Sequence, residues 1–162
     1  MVLSGLMRTV VGSDERGGAY LGGGTIQLRL RAIEDLALDV GFAAMGGPED
    51  GDRSRVETNG FVDLLWYPGG DGDFRAYFLF GGEVVGATTS WDGANGVEHS
   101  IDHVYAGPRG GLGIETGGSD WSFFFDGVYA PRFPVDQAAA AQLRGEDYRV
   151  TIQLRAGLVT WW

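Results

Sequence analysis

The chain's two histidines, His99 and His103, stand four residues apart in "VEHSIDHVYAG", beside Glu98, Ser100 and Asp102. A hydroxyl, an imidazole and a carboxylate are the ingredients of an activated nucleophile, and two imidazoles among acids could ligate a metal. Both chemistries depend on geometry before composition. The segment reads as a long loop, not as a helix that would put both rings on one face. The expectation is therefore solvated side chains, with no enzymatic role, no metal and no cofactor. The acid-rich turns "PEDGDR" and "PGGDGDF" lack the full spacing and closing glutamate of a calcium loop. Gly22, Gly23 and Gly24 precede a strand interior instead of opening a helix, so they do not form a phosphate cradle.

A second set of polar residues recurs at period two: Gln27, Arg29, Arg31, Asp39, Asp63, Arg75, Glu83, Arg109, Glu115, Asp126, Gln153 and Arg155. Each alternates with apolar neighbours, the pattern of a strand with one polar and one apolar face. Eight blocks carry it: 5–11 (the weakest), 20–32, 35–44, 55–67, 74–87, 103–116, 121–130 and 147–162. Pro108 interrupts the sixth and predicts a bulge or strand end there. The five residues Thr25 to Arg29 recur as Thr151 to Arg155 in the same phase. The last block, "TIQLRAGLVTWW", stays apolar on one face to Trp162.

The elements that position these residues are all strands, apart from one short helix predicted after Asp136 through "QAAAAQLR" and ended by Gly145. Connections read as alternately long and short, which puts the long loops at one end of an up-and-down sheet. Residues 1–162 are expected to form a single β-barrel domain. The 29 glycines are dispersed, as tight turns and closely approaching strands require. With no cysteine there is neither a disulfide nor a thiolate metal site. A formal charge of −10, with all 12 basic residues arginine, leaves no polybasic patch and argues against nucleic-acid binding. No segment is long and apolar enough for a membrane helix. The start "MVLSGLMRTVVGSDERGG" lacks the pattern of a signal peptide, so an exported protein would have lost its signal.

Alternation does not by itself say which face points inward. A soluble lipocalin-like barrel would line a pocket for an apolar ligand with Trp66, Phe78, Phe80, Phe123 and Phe125, whereas a membrane barrel would turn them outward. Aromatics near strand ends (Tyr20, Trp66, Trp121, Tyr129 and Trp162) and a lysine-free polar face favour the membrane. On these features the chain resembles the small eight-stranded outer-membrane barrels of Gram-negative bacteria, the OmpA and OmpX type. Trp162 matches their terminal aromatic, and Leu158, Ala156 and Leu154 match the alternating apolar positions before it.

The resemblance implies an all-β fold: an eight-stranded antiparallel up-and-down transmembrane β-barrel with short periplasmic turns and long outer loops. It also implies a monomer in the outer membrane, in contact with lipid or detergent, whose last strand is read by the barrel-assembly machinery. So narrow a barrel is filled by its own side chains. The expected role is structural or interactive, through the loops at 88–102 and 131–146, with at most a narrow pore. Some small barrels of this kind act on lipid A, and their deacylases carry a serine two residues from a histidine. Here Tyr105 holds that position relative to His103.

Overall fold

A computed structural model of the chain describes residues 2–12, 19–49, 52–69, 72–93, 95–118, 120–135 and 149–160. These form eight strands: β1 (Val2–Gly12), β2 (Ala19–Ile33), β3 (Leu36–Glu49), β4 (Arg53–Trp66), β5 (Phe74–Asp92), β6 (Glu98–Gly117), β7 (Trp121–Pro134) and β8 (Arg149–Thr160). Each pairs antiparallel with its neighbours in sequence, and β8 pairs with β1, which closes the barrel. Closure pairs every strand with two neighbours, so most strand hydrogen bonds are satisfied without water.

The register sets the size of the interior. Laterally paired residues followed once around the wall run Ile114, Phe125, Ala156, Gly5, Gly24, Ala44, Thr58, Gly86 and Val104. The path re-enters β6 ten residues from where it left. With eight strands this stagger tilts the strands by roughly 40° and gives a radius of about 8 Å at the backbone, room for side chains and little else.

Period-two alternation sorts the side chains cleanly. In β4 every second residue from Arg55 to Leu65 is buried and those between are exposed. Ile26, Leu28, Phe42, Val62, Leu64, Phe80, Val84, Leu112, Ile152 and Leu154 all face outward, and Gln27, Asp39, Asp63, Glu83 and Arg155 face inward. The lipocalin-like alternative fails here. Trp66, Phe78, Phe80, Phe123 and Phe125 are 42–57% exposed on the outer wall and line no internal pocket.

The strands run further than the sequence pattern indicates. The stretch 45–54, read as a long loop, is β3 and β4 continued in register to Glu49 and Arg53. The stretch 88–102 is not a loop either: β5 and β6 pair up to Asp92 and Glu98, and the hairpin closes through residues 93–97. Meanwhile the supposedly tight turn between β4 and β5 spans residues 67–73. Alternating loop length therefore does not hold. The ends were misjudged because strand continuations rich in Gly, Ser, Thr and Asp carry turn composition while remaining backbone-paired. β7 likewise takes in Pro131–Pro134, and the helix predicted at 136–145 lies outside the described residues.

Pro108 sits within β6, exposed on the outer face, not at a strand end. Pairing of β6 with β7 stops after Ala106↔Phe133 and resumes at Gly110↔Tyr129 in unchanged register, so no bulge forms. That register sets Pro108 opposite Pro131, and neither has an N–H to donate. Gly107 beside it must remain glycine, because a Cβ there would collide with the carbonyl oxygen of Pro131.

Candidate functional site: the charged interior

All the inward polar residues converge on one narrow column, which is layered along the barrel axis. At the turn end, Arg29 (β2) binds Asp39 (β3) through two parallel bonds, Nε to Oδ1 at 2.7 Å and Nη2 to Oδ2 at 2.8 Å. Its Nη1 donates to Glu115 of β6 at 2.7 Å. Glu115 also accepts from Arg75, Ser122 and the Tyr67 hydroxyl, and Gln27 donates to Asp39. Strands distant in sequence are thereby tied across the lumen.

In the next layer Arg155 (β8) grips Asp126 (β7) bidentately at 2.7 and 2.8 Å, and the Tyr77 hydroxyl donates to the same carboxylate at 2.8 Å. Gly113 makes this possible. A Cβ there would lie 2.5 Å from Tyr77 Cζ and 2.6 Å from Asp126 Cβ. Above it Phe61 fills the axis, with the Arg109 guanidinium 4.3 Å and that of Arg155 5.5 Å from its ring centre.

Glu83 (β5) organises the third layer, accepting from Arg132 at 2.6 Å, Asn59 at 2.9 Å and Arg109 at 3.3 Å. Arg132 also reaches Glu57 at 2.9 Å, and Glu57 accepts from Arg55 at 2.7 Å. At the loop end Glu49 accepts from Thr89, Arg149 and Arg55. Seven arginines (29, 55, 75, 109, 132, 149, 155) thus face seven carboxylates (39, 49, 57, 63, 83, 115, 126). Among the described residues these opposite charges match in number, as burial of ions demands.

One junction is loose. Asp63 joins the second and third layers, with Arg109 Nε at 3.0 Å and Arg155 Nη1 at 3.7 Å. Yet neither of its oxygens accepts a well-aligned hydrogen bond among the described residues.

Of the twelve polar residues singled out from sequence, ten are buried inside the barrel. Arg75 is partly buried at the turn-end mouth. Arg31 is a correction: it is exposed at the end of β2, its guanidinium 5.7 Å from the centre of the Tyr67 ring. Sequence reasoning put Glu57, Asn59 and Tyr77 on the polar face of their strands without carrying them into the network, and it did not include Arg55, Arg132, Arg149, Glu49 and Tyr67. Phase could have found most of them: Arg132 is six residues after Asp126, Arg149 six before Arg155, and Glu57 and Asn59 lie in phase with Asp63. What hid Arg132 was the assumption that its strand ended at residue 130, whereas Arg149 lay inside the predicted last block and was not counted.

On the outer wall Trp66 and Trp121 stand at the turn end and Tyr20 near the loop end, each 46–69% exposed. Tyr129 lies mid-strand beside Ile152, within the apolar band and not at its rim. Trp162 lies outside the described residues.

The histidine segment separates its groups instead of gathering them. His103 is buried inside, its ring centre 6.0 Å from that of Tyr105, and His99 stacks on Trp91 at 5.6 Å. Ser100 and Asp102 alternate with them and point the other way, with Asp102 accepting from Thr88 at 2.7 Å. No serine, histidine and carboxylate converge there. Among the described residues no group of three or more acids and histidines could hold a metal ion.

No family model matches the sequence, and no curated protein is similar to it at a significant level. Solved structures share the fold. Neisserial surface protein A is 12% identical, with a TM-score of 0.64, covering 99% of this chain and 95% of that one. Ail, the attachment invasion locus protein of Yersinia pestis, is 13% identical with a TM-score of 0.56, covering 97% and 93%. The N-terminal β-barrel domain of Pseudomonas aeruginosa OprF is 14% identical with a TM-score of 0.52, covering 97% and 96%. Closed wall, outward apolar band and charged interior together give this chain the all-β, eight-stranded antiparallel fold of the small outer-membrane barrels.

Proposed function

We propose that the protein is an outer-membrane β-barrel closed by its own side chains, a structural or interaction protein that works through its loop end and conducts at most through a narrow path. The single observation that carries this reading is the inversion of polarity. Ion pairs with side chains at 0% exposure fill the inside, while large apolar side chains cover the outside. In water this arrangement would expose far more contiguous apolar surface than a soluble monomer tolerates.

The whole chain acts as one barrel, and its closing strand is the part that the assembly machinery reads. Arg29, Arg155 and Arg132, each joined to two carboxylates, brace opposite walls, which supports a plug over a pore. The likeness to Ail and to surface protein A supports placing the loop end outside the cell.

The test is folding. Circular dichroism of the refolded chain should give a strand signal in detergent micelles and none in plain buffer. Unheated and boiled samples should migrate differently only when detergent was present during folding. A soluble folded monomer in buffer would overturn the reading. Planar bilayers should stay silent or show only sub-nanosiemens events, and large stable openings would refute the plug.

A further inference from the structure

We infer that the seam between β6 and β7 at Pro108 and Pro131 is a lipid site, where backbone carbonyls left without a donor in the outer wall bind an acyl chain that carries a hydroxyl group. Val135 N–H donates to the Val104 carbonyl at 2.9 Å, which marks 104 and 135 as a hydrogen-bonded pair. Such pairs recur at every second residue of an antiparallel ladder. In the unchanged register the next are 106 with 133, 108 with 131 and 110 with 129. The rung at 108 and 131 is empty. Both of its bonds would need a proline N–H, so the carbonyls of Pro108 and Pro131 face each other with no donor between them.

The neighbouring donors are committed elsewhere. Arg109 and Arg132 point inward to Asp63, Glu83 and Glu57, and the Thr151 hydroxyl donates to the Ala130 carbonyl at 3.1 Å. On the inner side Gly107 packs so closely on the Pro131 carbonyl that a Cβ would collide with it. The outer side is open. A Cβ added at Gly82, opposite Pro108 on β5, would meet only the Gly107 carbonyl oxygen at 3.6 Å, and one at Gly110 only that of Leu79 at 3.7 Å. The seam also lies within the apolar band, because Val104 and Leu112 flank it along β6 at 45% and 66% exposure. Hydrocarbon supplies no water to a bare carbonyl, so leaving one there is costly.

A second polar group stands at the same place. Tyr129, opposite Gly110 and two residues from Pro131 on the same outward face, is 54% exposed, a phenol inside the band where such rings usually mark the rim. Two acceptors beside a hydroxyl that both donates and accepts define the occupant. A plain hydrocarbon chain satisfies none of them, and a charged headgroup would have to be drawn into hydrocarbon to reach them. A hydroxyl carried on an acyl chain meets both needs: its proton goes to a proline carbonyl, and its oxygen accepts from Tyr129.

The inference goes beyond the plugged-barrel reading and rests on it only for setting the outer wall in lipid. Failure to fold in detergent defeats that reading, whereas a folded barrel whose seam ignores the hydroxyl defeats this one. The experiment is NMR on the full chain folded in dodecylphosphocholine micelles and labelled with carbonyl-13C proline, one signal for each of the five prolines. Methyl 3-hydroxytetradecanoate should move the Pro108 or Pro131 signal downfield and saturate. It should bind about fivefold more tightly than methyl tetradecanoate, the worth of one hydrogen bond. Methyl 3-hydroxybutanoate, which has the hydroxyl without the long chain, should leave both signals in place. Changing Pro108→Val and Pro131→Val together restores both N–H groups and should abolish the preference, read at the Gly110 amide. Tyr129→Phe, which leaves the ladder untouched, should reduce it. Equal binding of the two long esters would overturn the inference, as would a preference that survives either change. So would an equal response to the butanoate, or proline carbonyls already shifted downfield in plain micelles, which would mean that water reaches the seam.

Discussion

Asp126→Ala should be among the most damaging single changes in the barrel. Asp126 accepts two bonds from Arg155 at 2.7 and 2.8 Å and one from Tyr77 at 2.8 Å, and the Arg155 and Asp126 side chains have 0% exposure. Without Asp126, the Arg155 guanidinium keeps, among the described carboxylates, only Asp63, at 3.7 Å. Breaking a buried pair by removing one partner costs about 3–5 kcal/mol, roughly two to three and a half powers of ten in the folding constant. Arg155→Met alone should cost a similar amount, because it strands Asp126 with Tyr77. The double variant should be far less damaged than the two together, since neither ion remains to be left bare, and the coupling between them should exceed about 2 kcal/mol. The assay is urea unfolding of the lipid-refolded protein, followed by tryptophan fluorescence and by the shift between heated and unheated bands. Single variants within about 1 kcal/mol of the parent, with additive effects, are the behaviour of solvated surface pairs. That result would refute the closed interior.

Asp63→Asn should cost less than half of what Asp126→Asn does in the same assay, because the Asp63 oxygens accept no aligned hydrogen bond and the Asp126 oxygens accept three. Equal costs would mean that Asp63 is better held than its geometry indicates. On the outer wall, Phe80→Arg near the middle of β5 should destabilise by about 2–4 kcal/mol and Phe74→Arg at its turn end by about 0–1 kcal/mol, and a missing depth dependence would argue against a lipid-facing wall. Gly113→Val should cost about 1–3 kcal/mol by driving Tyr77 off Asp126, whereas Gly60→Ala, whose new Cβ meets nothing within 4 Å, should be close to neutral by the same unfolding curves.

The fold was legible wherever one face is apolar and the other is not. In β4, Val62, Leu64 and Trp66 alternate with Phe61, Asp63 and Leu65, and only Asp63 shows which set is inside. A single buried carboxylate opposite Leu64 carries more directional information than the hydrophobic count, because lumen positions accept Phe61 and Leu65 as readily as charges. Strand ends were illegible for a related reason. Above the apolar band the inner face is polar and the outer face no longer apolar, so Thr88, Ser90 and Asp92 alternate with Thr89 and Trp91 without the hydropathy contrast of the band. Only backbone pairing, which leaves no trace in composition, reveals that the hairpin continues. The partners within the network were illegible too. Arg29 with Glu115 and Arg132 with Glu57 join residues 86 and 75 apart, brought together by barrel closure and by a register visible only in three dimensions.

The exclusive use of arginine follows from the same geometry. In a lumen about 8 Å in radius at the backbone, five of the seven network arginines (29, 55, 109, 132 and 155) each reach two carboxylates at once, and the guanidinium fork does this with fixed, divergent donors. Arg29 holds Asp39 with one edge and Glu115 with Nη1, and Arg132 divides itself between Glu83 and Glu57 in the same way. Lysine would offer a single point charge and leave one wall untied. Because the described network consumes seven arginines and seven carboxylates, the formal −10 of the chain is carried by the remaining residues. Asp52, Asp92, Glu98 and Asp102 among them are exposed at the loop end. The interior spends its charge on bracing the wall. The surplus lies at the exposed ends of the barrel, where Glu34, Asp35, Asp73 and Asp120 carry it at the turn end as well.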